Sequence, residues 1–203
     1  MTNEGLREKK ARRTRERIVR EALALFERNG YDATTMEAVA EASEVSASTL
    51  FRYFPTKDSI VLDPFRTFSE QLSVVFSRHA QDHPVEEALA EAIFAALSLE
   101  EKGRNRALLV RSIIDKAPIP RARLWDYLYE QMHDLELRLA DSLHLPADDL
   151  RIVLSARLVT TIVGTAADHW RAEGGRGSAR AFAEEIMRLF NNREVVFPKP
   201  PVR

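Results

Sequence analysis

Apolar residues recur every three to four positions along most of this chain, and no stretch alternates apolar and polar residues as a strand would. Four prolines divide the part beyond residue 80 into segments of helical length: Pro84, Pro118, Pro120 and Pro146. We therefore predict an all-α fold. The predicted helices beyond residue 55 span 56–80 with a kink at Pro64, 85–100, 102–116, 120–143, 147–173 and 178–192.

Residues 34–57, TTMEAVAEASEVSASTLFRYFPTK, predict two short helices joined by a tight turn. Thr34 and Glu37 fit a capping box, so the first helix begins near Thr34 or Thr35. Ser46 is placed to cap the second helix, which extends to about Tyr53. Two short helices around a tight turn are typical of the helix-turn-helix that reads DNA.

The second short helix has an apolar face and an outward face. With Leu50 and Phe54 inward, its first turn presents Ala47, Ser48 and Thr49 to solvent, where a recognition helix contacts base edges. Thr56 caps the following helix with Lys57 in its first turn. Lys57 is therefore predicted to contact phosphate, and residues 47–49 to specify sequence.

A block of basic side chains precedes this unit. Residues 7–20 hold eight lysines and arginines against two glutamates: Arg7, Lys9, Lys10, Arg12, Arg13, Arg15, Arg17 and Arg20, with Glu8 and Glu16. Such an arm could lie along phosphates or enter a minor groove, or it could be the solvated face of a helix. From Ile18 to Phe26 the apolar spacing predicts a first helix, which ends at Asn29 and Gly30.

Two stretches of sequence carry a resemblance to a known family. They are IVREALALFERNGYDATTMEAVA at 18–40 and VSASTLFRYFPTKDSI at 45–60. Together they resemble the DNA-binding domain of the TetR family of one-component repressors, over about a quarter of the chain. The resemblance implies DNA contacts for Thr35, Ser46, Ala47, Ser48, Thr49, Tyr53 and Lys57, with Arg52 of lower rank.

Two residues depart from the family pattern. Glu44 stands in the turn where the family usually has glycine, and it should cost about 1 kcal/mol if the backbone keeps a positive φ there. Phe51 stands where the family often has tyrosine, so the phosphate contact of that hydroxyl is absent.

Composition fits a small regulator. The chain has 203 residues, 45% hydrophobic content, a net charge of -1 and no cysteine. The polar, charged start has no apolar signal core, and we predict a cytoplasmic protein. We predict three regions: a basic arm with the helix-turn-helix (1–60), a helical ligand-binding and dimerisation domain (61–195) and a mobile tail (196–203).

The stretch 150–167 lacks carboxylates and is apolar on almost every side. Such a helix must be covered all round, either as plain core or by a second copy of the chain. We predict a two-fold homodimer, which also suits a palindromic duplex. A membrane span is not expected, because Arg151 and Arg157 interrupt a short run. The predicted interface residues are Val159, Val163, Phe182, Ile186, Leu189 and Phe190.

The family resemblance also implies a small-molecule effector that binds the C-terminal domain and displaces the DNA-reading heads. A weaker resemblance, in RARLWDYLYEQMHDLE and LVTTIVGTAADHW, points to a subclass with acyl-CoA-like ligands; another hydrophobic compound, or no ligand at all, stays open. The candidate wall residues, which could equally be ordinary core, are Phe94, Leu97, Leu109, Ile113, Trp125, Leu128, Met132, Leu158, Thr161, Ile162, Thr165 and His169.

Catalytic and metal chemistry find little support in the sequence. His79 and His83 have i, i+4 spacing, but no metalloprotease motif, phosphate-binding loop or dinucleotide fingerprint accompanies them. We predict no enzyme, no cofactor and no metal. The alternative to a DNA-binding regulator is a dimeric helical small-molecule carrier or interaction module that does not bind DNA.

Overall fold

The computed structural model describes residues 3–197. Within that range the chain forms ten α-helices and no strand, which confirms the all-α prediction. The helices are α1 (Asn3–Asn29), α2 (Met36–Ala42), α3 (Ala47–Tyr53), α4 (Lys57–Val61), α5 (Asp63–His79), α6 (Val85–Lys102), α7 (Arg104–Lys116), α8 (Pro118–Leu143), α9 (Leu150–Ala172) and α10 (Ala179–Asn191).

The chain divides into two compact units. One consists of the residues up to Thr67 together with Asn105–Tyr129, and the other of Phe68–Arg104 and the residues from Glu130 onward. The N-terminal unit is therefore not one continuous stretch, because α7 and the first half of α8 belong to it. The functional division at residue 60 stays a prediction.

A single hydrophobic core holds the N-terminal unit together. The helical spacing of α1 places Ile18 and Phe26 on one face, against Leu50 and Phe54 around α3. Further buried members come from α1, α2, α4, α7 and α8: Val19, Ala22, Leu23, Leu25, Val39, Ala40, Ile60, Val61, Val110, Ile113, Ile114 and Leu124. This packing fixes how the short helices are presented to solvent.

In the N-terminal unit the helix boundaries differ from the sequence prediction at two places. The expected helix 56–80 is broken at Leu62, with α4 ending at Val61 and α5 beginning at Asp63. Pro64 thus stands in the first turn of α5, where its missing N–H is tolerated, instead of kinking a continuous helix. The basic block is helical, since α1 begins at Asn3.

The C-terminal unit is built around α9, which packs against α10 and α6. Arg171 of α9 and Glu100 of α6 form a largely buried ion pair, with 2.8 Å between Nη1 and Oε1. Glu101 accepts hydrogen bonds from the Ser178 hydroxyl and the Ala179 N–H at the start of α10. These contacts tie the end of α6 to the α9–α10 turn.

By length and composition alone, α9 could cross a membrane. Its 23 residues include an 18-residue window of mean hydropathy 1.5, of which 33% is buried. One such helix is weak evidence of a span, because core helices of soluble proteins share these properties.

The end of the described chain turns back toward α10. The Glu194 N–H donates to the Leu189 carbonyl at 2.9 Å, and the Phe197 ring lies 6.2 Å from that of Phe190. Val196 and Phe197 are exposed. Most of the predicted tail, residues 198–203, lies outside the described residues.

Candidate nucleic-acid interface

The first short helix begins one residue later than a Thr34 cap would place it. Thr35 is the N-cap of α2, and its hydroxyl accepts from the Ala38 N–H at 3.2 Å. Thr34 is buried, and its hydroxyl donates to the Gly30 carbonyl at 2.8 Å, which secures the α1–α2 turn. Thr35 itself is exposed, as a DNA contact requires.

The turn between α2 and α3 has the left-handed backbone that its sequence disfavours. Glu44 has a φ of 50°, where glycine would be unstrained. The Val45 N–H closes the turn by donating to the Ala40 carbonyl at 3.0 Å. The Glu44 carboxylate lies 3.6 Å from the Arg17 guanidinium of α1, so a residue of the basic block is drawn to the turn.

Three hydroxyls meet at the start of α3. Ser46 caps the helix by accepting from the Thr49 N–H at 3.2 Å, and its hydroxyl donates to Thr49 Oγ1 at 2.8 Å. The hydroxyls of Ser46 and Ser48 lie 3.0 Å apart. Ser46, Ala47 and Ser48 are exposed and Thr49 is half-buried. This end of the helix therefore offers small polar groups that could approach a base edge closely.

The rest of α3 anchors it from behind. Leu50 and Phe54 are fully buried. Tyr53 is half-buried, and the exposed Arg52 guanidinium lies 5.6 Å from its ring centre. Phe51 is 45% exposed, so an apolar ring stands on the outward side of the helix.

Lys57 makes internal contacts that its sequence position did not indicate. Its ammonium donates to the carbonyls of Tyr31, Asp32 and Thr34 at 2.6, 3.2 and 2.9 Å. It also lies 4.5 Å from the centre of the Tyr31 ring. The three N–H donors of the ammonium thus match three carbonyls of the α1–α2 turn.

The phenol of Tyr31 remains neutral at ordinary pH. Burial raises the pKa of Tyr31, and together with the smaller effects of the Asp58 and Asp32 carboxylates it brings the pKa to about 12. The neutral ring of Tyr31 offers its electron-rich face to the Lys57 ammonium, which lies 4.5 Å from the ring centre.

Arg15 ties three parts of the N-terminal unit together. Its Nε donates to Asp63 Oδ1 at 2.6 Å, and its guanidinium lies 4.4 Å from the centre of the Phe54 ring. It also approaches the Tyr53 carbonyl at 3.4 Å. Sequence reasoning assigned Arg15 to the basic arm, and nothing in the spacing to Asp63 signals this pairing.

The predicted ligand-wall residues are distributed over both units. In the N-terminal unit, Ile113 belongs to the core, Leu109 and Leu128 pack against it, and Trp125 is 71% exposed. The others belong to the C-terminal unit: Phe94, Leu97, Met132, Leu158, Thr161, Ile162, Thr165 and His169.

Three of the C-terminal candidates have clear surroundings. Leu97 and Ile162 are buried, as ordinary core residues are. His169 is exposed and stacks on Phe182 with 5.7 Å between ring centres. The ligand wall stays a prediction.

The predicted dimer residues differ in exposure. Val159 is only 4% exposed, so it is core of its own unit and is not available to a second copy. Val163, Phe182, Ile186, Leu189 and Phe190 are half-buried. The exposed apolar residues of α9 are instead Leu150, Leu154 and Leu158.

The histidine pair at the end of α5 lacks the partners of a metal site. The rings of His79 and His83 lie 5.4 Å apart, and across residues 3–197 no three metal-ligating side chains form a group that could hold an ion.

Comparison with known proteins places the helix-turn-helix in a family. Residues 18–63 match the family model described as "Bacterial regulatory proteins, tetR family". The HTH-type transcriptional regulator TcmR of Streptomyces glaucescens is 41% identical over 100 residues, which are 49% of this chain and 44% of TcmR. The HTH-type transcriptional repressor KstR of Mycolicibacterium smegmatis is 36% identical over 69 residues, 34% of each chain. These matches therefore span less than half the length of either relative.

The fold over the whole chain is also found among solved structures. FadR of Thermus thermophilus, a TetR-family transcriptional repressor solved in complex with lauroyl-CoA, aligns with a TM-score of 0.58 at 22% identity. The alignment covers 93% of this chain and 99% of that one. TcmR, KstR and FadR are all transcriptional regulators or repressors. The helix-turn-helix segment of the chain thus matches the tetR family of bacterial regulatory proteins, over residues 18–63.

Proposed function

We propose that this protein is a cytoplasmic, ligand-responsive transcriptional regulator that binds a palindromic operator as a homodimer and represses until a small, mainly apolar effector releases it. The observation that carries the proposal is the start of α3, where the exposed Ser46, Ala47 and Ser48 precede a helix anchored by Leu50 and Phe54. A rigidly anchored helix with a small, polar, exposed first turn has the form of a recognition helix.

Phosphate and base contacts have separate sources in this proposal. Base edges are contacted by the first turn of α3, at Ala47, Ser48 and Thr49. The phosphate backbone of the DNA is contacted by four other side chains: Thr35, Ser46, Arg52 and Tyr53. Lys57 acts indirectly, because its ammonium is bound to the turn that precedes α2. By holding that turn, it holds the Thr35 cap in place.

The dimer is proposed to form through α9 and α10 of the C-terminal unit. Leu150, Leu154 and Leu158 lie at i, i+4 and i+8, so they form one exposed row on α9. The half-buried Ile186 and Phe190 of α10 add apolar surface. A palindromic operator would then offer one half-site to the α3 of each copy.

The effector is proposed to bind the C-terminal domain. The FadR complex with lauroyl-CoA makes acyl-CoA one candidate class, and other hydrophobic compounds form a second. Addition of lauroyl-CoA to a protein–duplex complex tests the first class, with coenzyme A and lauric acid as separate controls. Release by lauroyl-CoA alone would support an acyl-CoA effector, and release by lauric acid equally well would favour an apolar compound.

The test of DNA binding is selection of genomic fragments with the purified protein, followed by titration of the enriched duplex at two salt concentrations. Enrichment of a palindrome, with affinity that falls as salt rises, would support the proposal. A folded dimer that enriches no sequence would instead favour the small-molecule carrier.

A further inference from the structure

The outward side of α1 carries a row of basic residues beside the helix-turn-helix. At about 100° per residue, five basic residues of the block fall within an arc of about 100° on the helix. One of them, Arg20, is bound to Glu21 at 2.8 Å; the others are Lys9, Lys10, Arg13 and Arg17. We call these four the basic stripe. Glu8 and Glu16 lie outside this arc, so the acidic residues of the block do not interrupt it.

Three members of the basic stripe are free to meet a ligand. Lys9, Lys10 and Arg13 are exposed, and among the described residues their side chains have no ion-pair or hydrogen-bond partner. Other basic residues of the block are engaged: Arg12 lies 3.8 Å from Glu16, and Arg15 is bound to Asp63. Arg7 is also exposed but lies about 60° outside the arc, so most of the free charge of the block is on one side of the helix.

Arg17, the fourth residue of the basic stripe, locates one end of the stripe beside the turn that precedes α3. Arg17 lies against Glu44, and Glu44 stands in the turn two residues before the Ser46 cap of α3. The stripe thus starts beside the base-reading end of α3. From Arg17 to Lys9 it extends about 12 Å along α1, which is the axial length of about three to four phosphates of one DNA strand.

We infer that the basic stripe is a second DNA surface, on which Lys9, Lys10 and Arg13 bind the phosphates that flank the base pairs read by α3. This inference rests on the proposed function and adds where the non-specific affinity arises. A polyanion fits the surface because it carries three unpaired cations on one face, in a chain whose net charge is only -1. Arg17 contributes less, because Glu44 neutralises it.

The test compares two lengths of the selected operator duplex. One is trimmed to the palindrome, and the other extends about ten base pairs, one duplex turn, on each side. Binding is measured from 50 to 200 mM salt for the wild type and for the triple variant Lys9→Ala, Lys10→Ala and Arg13→Ala. The matched control is Arg12→Ala, Lys102→Ala and Lys116→Ala, which removes the same charge from exposed positions outside the arc of the basic stripe.

On the extended duplex, the triple variant should bind more weakly, with a salt slope lower by about 0.9 for each lost contact. For each protomer of the dimer that loses all three contacts, the ratio of wild-type to variant affinity should fall about 40-fold between 50 and 200 mM salt. On the trimmed duplex, wild type and variant should differ little. The control should resemble the wild type on both, and all three proteins should keep the same Tm.

Other outcomes would overturn the inference in distinguishable ways. Three outcomes would refute the inference about the basic stripe but leave the proposed function standing. They are equal binding by variant and wild type on the extended duplex, equal losses on both duplex lengths, and an equal loss in the control variant. Vesicles of phosphatidylcholine and phosphatidylglycerol that bind wild type but not the variant, with duplex binding unchanged, would assign the stripe to a membrane. Failure of the wild type to bind any duplex would refute the proposed function, and this inference with it.

Discussion

Lys57 and Tyr31 are joined twice: the ammonium donates to the Tyr31 carbonyl at 2.6 Å and lies 4.5 Å from the centre of its ring. Tyr31 follows α1, and Lys57 begins α4, so the contact fastens two parts of the chain 26 residues apart. Because the same ammonium also binds the Asp32 and Thr34 carbonyls, it fixes the turn that leads into α2.

Lys57→Ala should therefore weaken DNA binding mainly by destabilising the protein, and not by removing a positive charge that contacts phosphate. Loss of three charge-assisted hydrogen bonds, which leaves carbonyls without their donor, should lower the free energy of unfolding by about 2 to 4 kcal/mol. DNA affinity should fall on every duplex, with the salt slope unchanged. Urea unfolding and a salt titration measure the two effects.

The exposed Lys102→Ala is the matched control, and it should leave both quantities unchanged. A Lys57→Ala protein of wild-type stability, with a salt slope lower by about one, would instead assign Lys57 to a phosphate.

Glu44→Gly should make the protein slightly more stable and a better DNA binder. Glycine removes about 1 kcal/mol of strain at a φ of 50°, against an exposed ion pair worth about 0.2 to 1 kcal/mol. Arg17 and the turn then face phosphate without a neighbouring carboxylate, so the salt slope should rise by about 0.9. Glu44→Gln should give the same slope without the gain in stability.

The double variants with Arg17→Ala separate these effects. On an Arg17→Ala background, neither Glu44→Gly nor Glu44→Gln should raise the salt slope, while the gain in stability from glycine should persist. A salt slope that still rises on the Arg17→Ala background would show that Arg17 is not the cation that Glu44 neutralises.

Ser46→Ala and Ser46→Asp should have different effects on stability and on DNA binding. Ser46→Ala removes the cap of α3 and should lower the free energy of unfolding by about 1 kcal/mol. Ser46→Asp keeps a capping oxygen, so stability should be retained, but its charge should repel phosphate and weaken binding at low salt. Thermal unfolding and binding at two salt concentrations distinguish the pair. If Ser46→Asp binds as well as wild type, Ser46 lies away from the duplex.

Local rules were sufficient for the caps of α3 and α4. Ser46 and Thr56 cap α3 and α4 as their sequence positions predict, because a cap depends on residues three positions apart. The strained turn at Glu44 was also predictable, since the family resemblance places glycine there.

Contacts distant in sequence were not predictable from spacing. The sequence did not indicate the internal hydrogen bonds of Lys57, because the carbonyls that bind its ammonium belong to a turn more than 20 residues earlier. Arg15 likewise appeared to be one more charge of a basic arm, although its partner Asp63 is 48 residues away. The periodicity of α9 identified an apolar helix but not which side the C-terminal unit covers, so Val159 was placed on the wrong side.

The exposure of α9 gives the dimer proposal a direct test. Leu154 is 63% exposed in the middle of the row formed with Leu150 and Leu158, so Leu154→Glu should leave the fold intact while it places a charge in the proposed interface. Sedimentation should show a shift from dimer to monomer, and operator affinity should fall because a single α3 reads only half of a palindrome.

Val159→Glu is unsuitable as a test of the interface, since that side chain is buried and a charge there would unfold the unit. The matched control is Val74→Glu on α5, which is 62% exposed and should remain a dimer. A Leu154→Glu protein that stays dimeric would move the interface to another face of the C-terminal unit.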